Sequence, residues 1–384
     1  MIACATKTLD DTASVDVEPD AGYRLRGLLA LEDPIREGVL DAVTACRQAG
    51  IRVIMITGDH LAAAEAIARD VGLRGGRPVV VMAETLDVDG TGPRAEALRD
   101  IDAIARATPS QKLQLVRALQ KSGEIVAVTG DGVNDVPALQ TADIGIAMGE
   151  RGTQSAREVA AIVLLDDNFR TIVRAIAEGR QLFKNLQLAF AYLLMVHIPL
   201  VLSAAAVPLA DHPLLYLPIH IVWLELIIHP TALLVFQDLP TSDRLLPTER
   251  DGAQQFFRLP AWIAIGIGGL LLAALISFGF EHALGLTDDV EHARSMALGA
   301  LVSASAAITA VFSGLRTWSA WILVVGSLAS LALLVQVPLL AALVHLRPLH
   351  ISDWALVAAA GVLAVLFAVI VKIAMRRPAR FLTG

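Results

Sequence analysis

The chain has 384 residues, 55% of them hydrophobic, with a mean hydropathy of +0.61 and a formal net charge of −7. That is too apolar for an ordinary soluble protein, so part of it must lie in lipid. Residues 1–180 carry 27 acidic and 20 basic side chains and residues 181–384 carry 11 of each, so the negative balance sits wholly in the first part, with no basic stripe to track a nucleic-acid partner.

The N-terminal stretch MIACATKTLDD has no basic region followed by an apolar core and is not a signal peptide. Cys4 and Cys46 form no CxxC pair and read as buried, reduced thiols. Apolar β-branched runs then alternate with helical patterns: IRVIMI (51–56) precedes HLAAAEAIARDVGL, and EIVAV (124–128) precedes DVPALQTAD. This alternation predicts βαβ units and an α/β Rossmann-like domain, a parallel sheet covered by helices, whose ligands bind at the carboxyl ends of the strands.

Two acidic turns occupy that edge, TGD at 57–59 and TGDGVND at 129–135. Thr57 can donate a hydroxyl hydrogen bond to a phosphate oxygen, a helix beginning near Asp59 offers backbone N–H groups, and Lys112 supplies a point charge. Asp131 and Asp135 are hard oxygen ligands suited to Mg²⁺ beside a transferring phosphoryl group. A lone TGD is often only a turn, and Lys112 in SQKLQLVRALQK is as readily a solvated helix charge. Two glycines, an amide and two carboxylates within seven residues have little structural purpose.

Beyond residue 180, six stretches reach the roughly 20 apolar residues that cross a bilayer: 183–209, 214–236, 259–282, 293–314, 318–344 and 352–375. They read as three helical hairpins in an all-α transmembrane bundle. Lys184, Arg244, Arg250, Arg258, Arg316, Lys372, Arg376, Arg377 and Arg380 fall on one side, against Arg294 and Arg347 on the other. The positive-inside rule then makes the first half and the C-terminus cytoplasmic, the bilayer being the plasma (inner) membrane. Polar groups at membrane depth are expensive and usually functional. Glu225 and His229 are four apart and so share a helix face, expected to turn inward, with His197 at similar depth in the preceding span. Pro230 removes a backbone donor and is expected to free carbonyls for a cation. A Glu–His pair that only locks two helices together stays open as the alternative.

DPIR (33–36), MITGD (55–59), ATPSQKLQLV (107–116) and TGDGVNDVPALQTADIGIAMG (129–149), followed by six spans, resemble the C-terminal part of a P-type ATPase from about residue 25 onward. Six helices after the phosphorylation domain point to the type II cation-pump branch. The resemblance implies a remnant of a nucleotide-binding domain (1–24), a partial cytoplasmic phosphorylation domain of haloacid-dehalogenase-like fold (25–180) and a transmembrane domain (181–384). It makes Thr57 and Gly58 phosphate-contacting, Asp59 an organiser of their loop and Lys112 the phosphate-binding lysine. Asp131 becomes the Mg²⁺ ligand, with Asn134 and Asp135 completing the site, and Asp33, Pro34 and Arg36 fall on a hinge. ATP is the implied substrate, a transported cation and the N-terminal part of a pump the implied partners.

The family's phosphorylated aspartate lies in DKTGT, and no such string occurs in these 384 residues. The strand carrying it is central to the family's sheet, so two neighbouring strands are expected to lack ladder partners. His197, Glu225 and His229 stand where calcium pumps carry amides and an aspartate, and Leu200 where a glutamate ligand is expected. That argues against calcium and for a proton-coupled or transition-metal site, imidazole suiting both. The alternative to a catalytic pump portion is a non-catalytic pump half that binds or regulates a complete pump. Intact Thr57, Lys112, Asp131 and Asp135 favour the catalytic reading.

Overall fold

A computed structural model describes residues 2–8, 21–29, 34–86, 96–240, 245 and 256–375; Asp33 of the expected hinge lies outside them. Two compact units divide inside one long helix, the first holding residues 1–47 and 51–172, the second 48–50 and 173–384.

In the first unit β1 (Ile2–Thr6) and β2 (Arg24–Leu29) form an antiparallel pair, exposed along both strands. Cys4 is therefore exposed, against the expectation of burial, because every residue of both paired strands is exposed; Cys46, in α1 (Val39–Gln48), is buried. IRVIMI supplies β3 (Met55–Ile56), which runs parallel to β5 (Ala103–Ala105), itself parallel to β4 (Val80–Met82). Ala64 and Ala68 of α2 (Leu61–Asp70) are fully buried one helical turn apart, the small residues that let a helix lie close to a sheet. EIVAV leads into β6 (Ala127–Gly130), parallel to β7 (Ile144–Met148), which is followed by the short helix α5 (Gln154–Val159) and pairs with β8 (Ile162–Leu164). Gly145 of β7 has no room for a side chain: a Cβ there would stand 2.4 Å from the Leu139 carbonyl oxygen of α4 (Val136–Thr141).

The parallel sheet thus comes in two three-stranded parts, ordered β3-β5-β4 and β6-β7-β8. Among the described residues β3 and β6 each pair along one edge only. Helix α3 (Pro109–Lys121) links the parts. Its start is fixed by a capping box between Thr108 and Gln111, and near its end Gln120 Nε2 donates to the Thr141 carbonyl of α4 (3.0 Å).

Asp167, after β8, is 8% exposed and accepts three backbone N–H bonds, from Gly149 (2.6 Å), Glu150 (3.2 Å) and Arg151 (3.0 Å), while Arg36 Nη1 donates to its carbonyl (3.1 Å). Burial pushes its carboxyl up, but the three N–H dipoles and the Arg36 charge overcome this and hold it below the ordinary 3.8. A carboxyl lowered on folding stabilises fully above its unfolded value and loses that contribution as pH falls through the folded one. Asp167→Asn is therefore expected to cost about 1–3 kcal/mol at neutral pH, with the deficit shrinking as pH drops below 3.8. Urea-dependent proteolysis within residues 1–172 of the solubilised chain measures it; a deficit independent of pH would contradict the charge argument.

The second unit is helical. Among the described residues, five uninterrupted helices are long and apolar enough to cross a membrane: α6 (Phe169–Leu209), α9 (Leu259–Thr287), α10 (Val290–Ser313), α11 (Trp318–Gln336) and α13 (Ile351–Met375). The remaining expected span, 214–236, is helical from Pro218 to Gln237 but broken into α7 (Pro218–Trp223), a π-helical turn (Leu224–Ile228) and α8 (His229–Gln237). The span expected over 318–344 likewise divides before Pro338, which opens α12 (Pro338–Leu343). Helix α6 begins at Phe169 rather than 183, because the polar turns ahead of the apolar run are helical too. Rich in Ala and Ser, α10 is central to its bundle, with 72% of its apolar stretch buried against 17% for α11.

Candidate functional site

Strand β3 delivers the chain into Thr57, Gly58 and Asp59. Thr57 Oγ1 donates to Asp59 Oδ2 (2.8 Å) and accepts from the Asp59 N–H (3.1 Å), so Asp59 shapes the turn. The Ala107 N–H donates to the Thr57 carbonyl (2.9 Å) and the Arg106 N–H to that of Asp59 (3.0 Å), fastening the turn beside the approach to α3. Arg106 accepts a left-handed backbone (φ 54°) there, and its guanidinium contacts the His60 ring. His60 caps α2 without a side-chain bond, so the first-turn N–H groups keep their capacity for an anion.

On α3, Lys112 Nζ donates to Asp135 Oδ1 at 2.7 Å, the two side chains being 18% and 15% exposed. The other oxygen of Asp135 accepts from the Gly132 N–H (3.3 Å). Gly130 permits this fold-back, since a Cβ there would meet Asp135 Cβ at 2.6 Å. Asp131 receives the Thr153 N–H on its backbone carbonyl (2.8 Å), while its exposed carboxylate has no hydrogen-bond or ion-pair partner among the described residues. Asn134 is exposed beside it. Asp135 is therefore already held by Lys112 and Gly132, and Asp131 is the carboxylate open to a cation. This all-oxygen donor set fits Mg²⁺, which takes one or two carboxylates and otherwise water or phosphate oxygens. Lys112 and Asp135 are in direct contact and the Thr57 turn is tied to the residues before α3; among the described residues no hydrogen bond joins Thr57 to Asp131, Asn134 or Asp135. Of the expected hinge, Pro34 is exposed and Arg36 is bonded to Asp167.

In the second unit His197 Nε2 lies 3.1 Å from Glu225 Oε1 and His229 Nδ1 3.4 Å from Glu225 Oε2, with the two rings 4.9 Å apart. His197 Nδ1 is 2.9 Å from the Leu193 carbonyl, which can only accept, so Nδ1 carries the hydrogen. In a neutral ring Nε2 then aims a lone pair at the carboxylate, a repulsion that a shared proton or a metal ion removes. His229 is 2% exposed and neither ring nitrogen has a hydrogen bond, an expensive state for buried polar atoms. Both separations approach the ~3.3 Å expected between neighbouring ligands held ~2.0–2.1 Å from a tetrahedral ion.

The backbone around these side chains is equally unusual. The His229 N–H donates to the Leu224 carbonyl, five residues back, and Pro230, of which only the backbone is described, has no N–H to offer the carbonyls behind it. Pro199 does the same in α6, two residues past His197. His229 is buried whereas the Glu225 side chain remains 43% exposed, so the expected inward face is divided. Tyr192 packs edge-on to the His229 ring (6.3 Å) and shares its hydroxyl with Ser305 Oγ (2.7 Å). The sequence reading passed over Pro199 and Tyr192. The proline was visible in VHIPL, but nothing in the sequence places Tyr192 against His229.

Comparison with known proteins returns the model for haloacid dehalogenase-like hydrolases over residues 4–143 and again over 111–176, and the model "cation transporting ATPase, C-terminus" over residues 213–374. A calcium-transporting ATPase of Bacillus subtilis is 33% identical over 359 residues, covering 90% of this chain and 40% of that protein. A cation-transporting ATPase of Synechocystis is 40% identical over 288 residues, 74% of this chain and 32% of the relative. The sodium/potassium-transporting ATPase subunit alpha of Drosophila melanogaster is 44% identical over 222 residues, 51% of this chain and 21% of the relative. The chain spans two fifths or less of the length of these relatives.

Proposed function

We propose, from the chain's place as a portion of the P-type ATPase family, that it is the phosphate-handling and ion-conducting portion of an ATP-driven cation pump. The observation that carries this is the 2.7 Å contact between Lys112 and Asp135 at the carboxyl end of β6, with the Asp131 carboxylate open beside it. Lys112 and the first turn of α2 meet phosphoryl oxygens, Thr57 and Gly58 line the approach, and Asp59 holds that turn in shape. Asp131, with Asn134 and Asp135, would hold Mg²⁺, whose charge offsets that on the transferring group. The acceptor aspartate arrives from a segment outside these 384 residues. Its strand seats between β3 and β6, whose open edges would each gain a ladder partner.

In the bilayer, His197, Glu225 and His229 form the core of the cation path, opened by Pro199 and Pro230. Two imidazoles and one carboxylate suit a transition-metal dication or a proton better than calcium, which prefers six to eight oxygens. The first unit and the C-terminus face the cytoplasm of a plasma-membrane protein, as the positive-inside asymmetry supports.

The purified chain incubated with radiolabelled ATP and Mg²⁺ is expected to form no acid-stable, hydroxylamine-sensitive phosphoenzyme, since no aspartate here stands in a DKTGT setting. Acyl-phosphate labelling of the chain itself would overturn the assignment of the acceptor to another segment.

A further inference from the structure

Helices α10 and α13 begin at the same end of the second unit, and their starts bring together residues far apart in sequence. His292 lies in the first turn of α10, and His350 and Asp353 flank the start of α13. His292 Nε2 is 3.6 Å from Asp353 Oδ2, and His350 Nδ1 is 3.4 Å from the same oxygen. The three potential ligand atoms all lie within 4.8 Å of one another. We propose that His292, His350 and Asp353 form a second metal site, taking a borderline-soft dication of the Zn²⁺ class and clamping the ends of α10 and α13.

Three observations support a metal rather than an ordinary ion-pair cluster. The two separations from Asp353 Oδ2 exceed the ~3.3 Å ligand spacing of a tetrahedral ion by a few tenths of an ångström at most, and the imidazole nitrogens lie within 4.8 Å of each other, a gap that one side-chain adjustment closes. His350 can make that adjustment, being 82% exposed, whereas His292 and Asp353, 11% and 15% exposed, are held in place. Two permanent cations nearby are also committed elsewhere: Arg347 pairs with Asp289 (2.8 Å) and Glu291 (3.6 Å), and Arg294 Nε donates to the Leu214 carbonyl (2.9 Å). Asp353 has only imidazoles as ion-pair partners among the described residues.

The surroundings fit the supporting role such sites need. Asp353 Oδ2 accepts the His350 N–H (2.7 Å), fixing the carboxylate, and Asp289 caps α10 through the N–H groups of Glu291 (3.1 Å) and His292 (3.2 Å), fixing the other ligand. The exposure of His350 leaves one side open for a water as fourth ligand. The two helix N-termini oppose a cation with about half a charge each, which the Asp353 carboxylate offsets. This site shares no residue with His197, Glu225 and His229 and does not depend on the pump reading.

The test uses the full chain in detergent micelles, with Zn²⁺ added alone and then against Ca²⁺ and Mg²⁺, followed by calorimetric titration and thermal unfolding. The wild type and a His229→Ala chain are expected to bind a zinc equivalent that raises Tm. His350→Ala, at a solvent-facing position, is expected to weaken that equivalent at least ~100-fold, beyond the range seen when an outer-shell partner is disturbed, and His350→Cys to restore it. Equal zinc stoichiometry and affinity in wild type and His350→Ala would overturn the site. Displacement of zinc by equimolar Ca²⁺ or Mg²⁺ would overturn its metal class.

Discussion

Glu225→Gln is expected to abolish cation-stimulated ATP turnover in a pump assembled with this chain, while phosphorylation from inorganic phosphate persists. The substitution keeps the side chain's shape but removes the one negative charge facing His197 Nε2 at 3.1 Å and His229 Nδ1 at 3.4 Å. Two imidazoles with no carboxylate between them hold a dication or a shared proton poorly. Cation affinity should therefore fall by more than the ~10–100-fold typical of disturbing an outer-shell partner. Phosphorylation from inorganic phosphate survives because Lys112, Asp131 and Asp135 are untouched. Stimulated turnover measured over a panel of Zn²⁺, Mn²⁺, Ca²⁺ and pH reads the effect and reports the cation class. Unchanged stimulated turnover would make the Glu–His contacts a helix lock and move the transport site elsewhere.

The second large effect belongs to Lys112. Lys112→Met retains most of the packed stem and deletes the ammonium that pairs with Asp135 and is proposed to meet phosphoryl oxygens. Loss of one preorganised charge aimed at a reacting group costs on the order of 100–1000-fold in rate. Stability should also suffer, because Asp135, 15% exposed, keeps a carboxylate without its counter-charge. Lys112→Arg separates the two: a guanidinium can restore the ion pair and much of the stability, but its planar fork does not reproduce a point charge at the phosphate. The account expects Lys112→Arg to unfold like wild type and still phosphorylate slowly; equal loss of rate and stability across both variants would reduce Lys112 to a structural residue.

Much of the first unit was legible because its chemistry is local. The turns TGD and TGDGVND sit at strand ends, and Gly130 is there because Asp135 folds back over it at 2.6 Å from where a Cβ would be. The two open sheet edges were expected only through the family resemblance, since nothing in IRVIMI or EIVAV says which edge lacks a partner. Hydropathy found the spans but not their interruptions. Pro230 signals a broken ladder, yet the extra residue of the π turn accumulates on its N-terminal side, over Leu224–Ile228, where the sequence is continuously helix-compatible. Cys4 was read as buried from residue type, whereas the β1–β2 pair leaves it exposed. The His292, His350 and Asp353 cluster was invisible for a different reason: its members meet only when the starts of two helices are brought side by side, and no local spacing encodes that.

The proposed function gives this chain the phosphate-handling half of a phosphorylation site whose acceptor aspartate lies outside these 384 residues. Its most direct test is to reconstitute the chain in liposomes with a separate polypeptide bearing the DKTGT segment and the nucleotide-binding region of a cation-transporting ATPase, and to follow transfer of label from ATP. The account predicts an acid-stable, hydroxylamine-sensitive phosphoenzyme on that polypeptide, dependent on this chain and lost with Lys112→Met. No phosphoenzyme in the reconstituted pair, or one that forms equally well without this chain, would contradict it.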